Sequence, residues 1–241
     1  MENKIYISIV IPAYNEEFRI HPTLDDIHMY MSRVNYEYEV IVVDDGSRDM
    51  TVEVLKEYES KLKNFRVLRN EVNMGKGYSV KRGMLEARGE LKLFMDADNS
   101  VKISNLDRFI LEIQNGFDVV IGSIEIEGAV TKDNNQWYRR VLGRLSKVLI
   151  RTIATPGIYD TQRGFKLFTK EATENIFPLL TIYRWGFDIE VLAIALNKDI
   201  KIKEIPVEWD NVGGSSVNLV SYIRTLVELV IIKVNLWINK Y

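Results

Sequence analysis

Short apolar runs and helical patterns alternate through the first half of the chain. Tyr6 to Ile11 reads as a strand buried on both faces, and Pro22 to Val34 as a helix. Glu39 to Val43 is a second strand, ending in Asp44-Asp45-Gly46-Ser47. A helix is predicted over residues 50 to 63, with Val52, Leu55, Tyr58 and Leu62 at helical spacing. Phe65 to Leu68 is a third strand, Tyr78 to Ala87 a helix and Leu91 to Met95 a fourth strand. Ser104 is placed to cap a helix running through Gln114, and Asp118 to Ile121 is a fifth strand. Such alternation implies an α/β fold, a mostly parallel sheet covered on both faces. Ligands of such sheets bind beyond the carboxyl ends of the strands. Tyr14-Asn15-Glu16, Asp44-Asp45 and Asp96-Ala97-Asp98 each follow a strand, so all three are expected at one edge.

The second half has a different pattern. Residues 123 to 136 read as a loop and residues 137 to 153 as a basic helix. Gly164 to Phe168 is a strand, followed by helices near 170 to 177 and 186 to 197. Ile200 to Ile205 is a strand stopped by Pro206. A polar loop, Gly213-Gly214-Ser215-Ser216, leads to a long apolar helix from Leu219 to Asn239. Residues 1–210 form the expected main domain, with 1–125 as one half and 126–210 as the other; 211–241 hold the late loop and amphipathic helix.

Composition narrows the chemistry. The 241 residues are 46% hydrophobic and 27% charged with a net charge of -2, which gives no reason to expect a nucleic-acid partner. Without cysteine there is no disulfide, thiolate metal site or cysteine nucleophile, and two histidines do not suggest a histidine-rich metal site. No stretch of 18 residues lacks charge, and the N-terminus runs into a strand without a signal-peptide pattern.

Asp96 and Asp98 at i, i+2 are expected on the same side of an extended segment, where they call for a cation between them. Hard oxygen ligands suit Mg²⁺ or Mn²⁺, which in turn suggests a phosphate-bearing ligand. Tyr14 can lie beside a base or ribose, and Glu16 can accept from a hydroxyl. One acid of the Asp44-Asp45 pair, with Asp45 favoured, can face a pyrimidine N–H. Asn73-Met74-Gly75-Lys76-Gly77 opens a helix and can bring N–H groups and Lys76 to an anion. From Trp137 to Arg151, Arg139, Arg140, Arg144, Lys147 and Arg151 stand among apolar residues with no acid, a pattern suited to a membrane surface. Each cluster has an ordinary structural alternative: a turn, a cap or a packed surface helix.

Taken in order, Pro12-Ala13-Tyr14-Asn15-Glu16, Val42-Val43-Asp44-Asp45-Gly46-Ser47, Asn73-Met74-Gly75-Lys76-Gly77 with Arg82-Gly83, and Asp96-Ala97-Asp98 resemble the motifs of inverting family 2 glycosyltransferases with a GT-A fold. The runs from Gly157 to Phe168 and from Arg184 to Glu190 look like the dolichyl-phosphate glucosyltransferase branch, next to the mannosyltransferase branch. The resemblance implies a nucleotide-sugar donor, a dolichyl or polyprenyl phosphate acceptor, and peripheral attachment to the cytoplasmic face of a membrane. It implies donor contacts at Pro12, Ala13, Tyr14, Glu16, Asp44, Asp45, Lys76, Asp96 and Ala97. Asp96 and Asp98 become the catalytic metal clamp on the donor diphosphate. Arg139 and Arg140 are candidates for the acceptor phosphate, and Asp160 and Asp188 for sugar hydroxyls, Asp160 on the acceptor side. Asp188 is the first candidate base should the acceptor be a glycan hydroxyl. GDP-mannose as donor, a non-catalytic nucleotide-sugar-binding or scaffold role, and self-association through the last helix stay open. Three positions depart from the branch. Arg163 stands where cysteine is usual, Ile124 follows Gly122-Ser123 where arginine is usual, and Val217 follows Ser216 where lysine is usual. Arg163 is a candidate replacement for a missing cationic acceptor contact.

Overall fold

The computed structural model describes residues 4–132, 137–210 and 219–241. Seven strands form one sheet: β1 (Ile7–Ala13), β2 (Tyr38–Asp44), β3 (Phe65–Arg69), β4 (Leu91–Met95), β5 (Val119–Ser123), β7 (Phe165–Thr169) and β8 (Ile202–Pro206). Their spatial order is β3-β2-β1-β4-β7-β5-β8. All neighbours are parallel except at β7, which runs antiparallel to both β4 and β5. The strands β6 (Val130–Lys132) and β9 (Glu208–Asp210) pair in parallel as a small second sheet.

The central strands are apolar at nearly every position because successive side chains face opposite covered layers. Ile9, Ile11, Val40, Val42, Leu93 and Met95 pack on one face. They meet α1 (Ile20–Met31), α2 (Thr51–Lys56) and α4 (Leu106–Gln114) through Leu24, Ile27, Leu55 and Phe109. Val10, Ile41, Val43 and Phe94 pack on the other face. They meet α3 (Lys76–Glu86), α6 (Lys170–Ile176) and α7 (Phe187–Asn197) through Val80, Met84, Ile176 and Leu192. Full burial of each such side chain is worth roughly 1.5–3 kcal/mol. A third cluster joins α7 to α5 (Trp137–Ile153) and α8 (Leu219–Trp237), with Ile150, Ile189, Ala193, Leu229 and Ile232 at its centre. Phe187 to Ala195 are therefore buried without a break, Asp188 and Glu190 included.

Several boundaries differ from the sequence expectation. The helix expected over 50–63 ends at Lys56, and turns carry Tyr58 and Leu62 into the core. Ser104 falls inside a short 3₁₀ turn, Ile103–Asn105, and does not cap α4. The expected loop 123–136 contains β6. Pro206 is the last residue of β8 rather than a stop before it, as an edge strand permits. The Gly213 to Ser216 loop lies outside the described residues. No helix among the described residues is long and apolar enough to cross a membrane.

Candidate active site

The parallel strands β2, β1 and β4 are neighbours, so the polar segments that follow them emerge at one edge of the sheet. The segments after β1 and β2 are knitted together. The N–H groups of Asn15 and Glu16 donate to Ser47 Oγ and Thr51 Oγ1 at 2.9 and 2.8 Å, and Arg48 N–H donates to Asn15 Oδ1 at 2.9 Å. Asn15 turns the chain at φ 55°, a conformation Asn tolerates better than most residues. Pro12 and Ala13 lie buried within β1, where the Ala13 carbonyl accepts from Asp45 N–H at 2.8 Å. Tyr14, 41% exposed, leaves its ring open to a ligand. Glu16 clasps Arg19 through both carboxylate oxygens, at 2.7 and 2.8 Å. Burial pushes its pKa up, and Asp98 and Asp96 push the same way against the pull of Arg19.

Asp45, the expected pyrimidine contact, is bonded within its own chain. Its Oδ1 accepts from Asn70 Nδ2 at 2.7 Å and Met74 N–H at 2.9 Å, and its Oδ2 from Gly75 N–H at 2.8 Å. Asp45 thus holds the 70–75 turn and is 3% exposed. Asp44, the last residue of β2, has different partners. Its Oδ1 accepts from Ser47 N–H at 3.1 Å, and its Oδ2 lies 3.2 Å from Arg69 Nε.

Strand β4 ends at Met95, so Asp96 and Asp98 do not share an extended segment as expected; Ala97 and Asp98 form a turn. Asp98 Oδ1 accepts from Ser100 N–H and Ser100 Oγ at 3.1 and 2.6 Å. The Ala97 carbonyl accepts from Thr23 Oγ1 at 2.6 Å. Asp96 N–H donates to the Gly164 carbonyl at 2.9 Å, and Asp96 Oδ1 lies 2.6 Å from Lys76 Nζ. Burial alone would lower the Lys76 pKa; Asp96 first, then Asp188 and Asp98, outweigh it and hold the ammonium above its ordinary value. Gly164 has no freedom to carry a side chain, since a Cβ there would lie 2.0 Å from Asp96 Cγ.

The antiparallel β7 brings the second half to the same edge. Its neighbours Gln162, Arg163 and Gly164 line a small cleft with Asp96, Ser100 and Trp209. Arg163 Nε donates to Asp160 Oδ2 at 2.9 Å, and its guanidinium lies over the Trp209 ring, 4.9 Å from the centroid. Asp160 is buried and also accepts from Ile124 N–H at 3.1 Å, so it orients Arg163. Asp188, the other expected sugar contact, is also buried. It is 4% exposed, its Oδ1 accepts from Lys166 Nζ at 2.5 Å, and its charge acts on Lys76. Burial raises the Asp188 pKa despite Lys166 and Lys76. The side chains of Arg139, Arg140 and Arg144 lie outside the described residues. Of the other cations on α5, Lys147 pairs with Glu125 and Arg151 stacks on Tyr159.

Sequence reasoning missed Lys166, Gln162 and Trp209. A lysine inside the apolar run Phe165-Lys166-Leu167-Phe168 is a usable signal, because a buried ammonium needs a carboxylate. Nothing local marks Trp209.

Among the described residues no three His, Cys, Asp or Glu side chains gather as a ready metal cage. Asp96 and Asp98 nevertheless fit an ion held by one or two carboxylates and completed by substrate phosphates, the habit of Mg²⁺. Asp96 already attracts a cation, Lys76, through its Oδ1.

The chain matches the model of glycosyl transferase family 2 over residues 8–177. It is 39% identical over 239 residues to a dolichyl-phosphate beta-glucosyltransferase of Trichomonas vaginalis, covering 95% of this chain and 71% of that one. It is 35% identical over 254 residues to the dolichyl-phosphate beta-glucosyltransferase of Saccharomyces cerevisiae, covering 96% and 75%. Among solved structures, glucosyl-3-phosphoglycerate synthase of Mycobacterium tuberculosis, in complex with Mn²⁺, uridine diphosphate and phosphoglyceric acid, superposes with a TM-score of 0.69 at 18% identity. That match covers 95% of this chain and 78% of the other, and it is a likeness of fold.

Proposed function

The chain belongs to glycosyl transferase family 2, with the GT-A fold, and on that premise we propose that it transfers glucose from UDP-glucose to dolichyl or polyprenyl phosphate with inversion. The names of relatives matched over most of their length support the substrates. The observation that carries the reading is the meeting of Lys76, Asp96 and the braced Arg163 at one sheet edge. Two cationic groups flanking an acid suit two phosphate-bearing substrates brought together.

Asp96 and Asp98 would hold Mg²⁺ or Mn²⁺, directly or through water. Such an ion supplies neutralisation of charge on the leaving diphosphate. Lys76 adds its ammonium to the same oxygens, and Tyr14 covers the nucleoside. A phosphate monoester with a second pKa of about 6 is largely dianionic near neutral pH, so it needs no strong base. The protein's task is then positioning and electrostatic stabilisation. Arg163, held by Asp160 and Trp209, orients the acceptor phosphate together with Arg139 and Arg140. An acceptor oxygen attacks the anomeric carbon opposite the diphosphate. The new carbon–oxygen bond forms as the old one breaks, and an α-linked donor yields a β-linked lipid phosphosugar.

With a lipid acceptor the enzyme would work at a membrane surface, and we take its cytoplasmic face as the site of attachment. The exposed Val227, Val230, Ile231, Val234 and Trp237 of α8 and the cations of α5 supply apolar and basic contacts for peripheral attachment. The test is a donor screen with purified polyprenyl phosphate and Mg²⁺ or Mn²⁺, reading the lipid product by mass. Glucosyl phospholipid from UDP-glucose is expected, and EDTA should stop its formation. Turnover only on a soluble glycan hydroxyl overturns the acceptor. UDP-sugar binding without any turnover points to the non-catalytic alternative.

A further inference from the structure

The loop between α6 and α7 is anchored more heavily than a connection requires. At one end the buried carboxylate of Glu190 accepts from Thr181 N–H, Thr181 Oγ1 and Ile182 N–H at 2.9, 2.6 and 2.8 Å. Tyr241 adds its hydroxyl at 2.6 Å. At the other end Glu228 of α8 accepts from Gly186 N–H at 2.8 Å. Gly186 is required there, since a Cβ would stand 2.5 Å from Glu228 Oε2. Between the anchors the Tyr183 carbonyl accepts from Gly77 and Tyr78 N–H at 2.9 and 3.3 Å, closing the first turn of α3. That carbonyl would lie 2.3 Å from a Cβ on Gly75. Arg184 reaches Asn73 Oδ1 at 2.9 Å, and Lys76 Nζ lies 5.6 Å from the Trp185 ring centroid. Contacts thus run without a gap from α8 to the ammonium that meets Asp96.

We propose that Glu228 is a positioning residue for the donor site: by fixing the Tyr183–Gly186 loop it sets the N-terminus of α3, and with it Lys76. The proposal rests on the reading of Lys76 and Asp96 as partners of the donor diphosphate. It makes the last helix part of the catalytic apparatus although Glu228 touches no reacting atom. The opposite face of α8 carries the exposed apolar residues already described, so one helix supports the donor site from within and meets its surroundings from without.

The test compares Glu228→Ala and Glu228→Gln in the full chain by amide hydrogen exchange and by UDP binding with Mn²⁺. Glu228→Ala should speed exchange at Gly77 and Tyr78 and weaken UDP binding by about three- to tenfold, the range one net hydrogen bond produces. Glu228→Gln keeps an oxygen for Gly186 N–H and should stay within about twofold of the unaltered chain. Unchanged exchange at Gly77 and Tyr78 in Glu228→Ala overturns the proposal. So does equal weakening in both variants, which would mark a role for charge alone. Should Glu228→Ala fail to fold, Glu228→Asp withdraws the carboxylate by one methylene, and the same two measurements decide by the same criteria. If the unaltered chain binds no UDP, the donor reading falls, while the exchange measurement still judges the link from α8 to α3.

Discussion

The acids after β2 and the acids after β4 look alike along the chain and have opposite surroundings. Both pairs follow an apolar strand, and both emerge at the same edge of the sheet. Asp45 is enclosed and accepts three hydrogen bonds from its own chain, while Asp44 is buried beside Arg69. Asp96 and Asp98 lie in a turn, partly open, with Lys76 against one and a serine against the other. The lesson concerns hydrogen-bond supply. A carboxylate surrounded by amide donors of its own chain is braced, whereas one paired with an ammonium keeps capacity for a ligand's charge.

The comparison can be broken by three substitutions. Asp98→Ala should have the largest effect, lowering kcat/KM for glucosyl transfer by about 10³-fold, some 4 kcal/mol. Its thermal midpoint should move by only a few degrees, because the lost contacts are two local bonds to Ser100. Normal metal-dependent turnover by the folded variant would remove Asp98 from the site. Asp45→Ala should act on folding, reducing unfolding free energy in urea by about 3 kcal/mol as three donors, two of them buried, lose their acceptor. A fully stable Asp45→Ala that no longer binds UDP would favour a donor contact at Asp45 over a structural role. Gly164→Ala ranks last, since its Cβ must push the Asp96 carboxylate aside. A displacement of about 1 Å should lower kcat roughly 10²-fold. An unchanged kcat would show that Asp96 need not stay where Gly164 holds it.

Much of this is legible in the amino-acid sequence alone. Continuous apolar runs such as Ile7–Ala13 and Tyr38–Asp44 announce strands covered on both faces, and strand–helix alternation forces their polar ends to one edge. What stayed hidden follows from how patterns carry information. A two-residue period has no direction, so nothing in Phe165–Thr169 reveals that it runs against its neighbours. Adjacent acids have no label saying which one faces inward, and the Asn70, Met74 and Gly75 donors that decide the matter are supplied by another turn. Lys166, the partner of Asp188, lies 22 residues from it and becomes its neighbour only on folding, and although Arg163 stands three residues from Asp160, no period in that loop announces their pairing. Strands of three residues such as Val130–Lys132 are too short for any period to register.

The place of β7 also governs how the molecule can be assembled. Met95 finds its partner in Phe165, and Val119 finds its own in Phe168, so β4 and β5 are joined only through a strand made much later. During synthesis the first four parallel strands can condense, yet β4 presents a bare row of N–H and C=O groups until Phe165–Thr169 arrives. The chain entropy lost in that closure falls on one late step, which makes the central seam a slow event in folding. A nascent chain halted between β4 and β7 carries an open sheet edge, and its hazard is edge-to-edge association with another such chain.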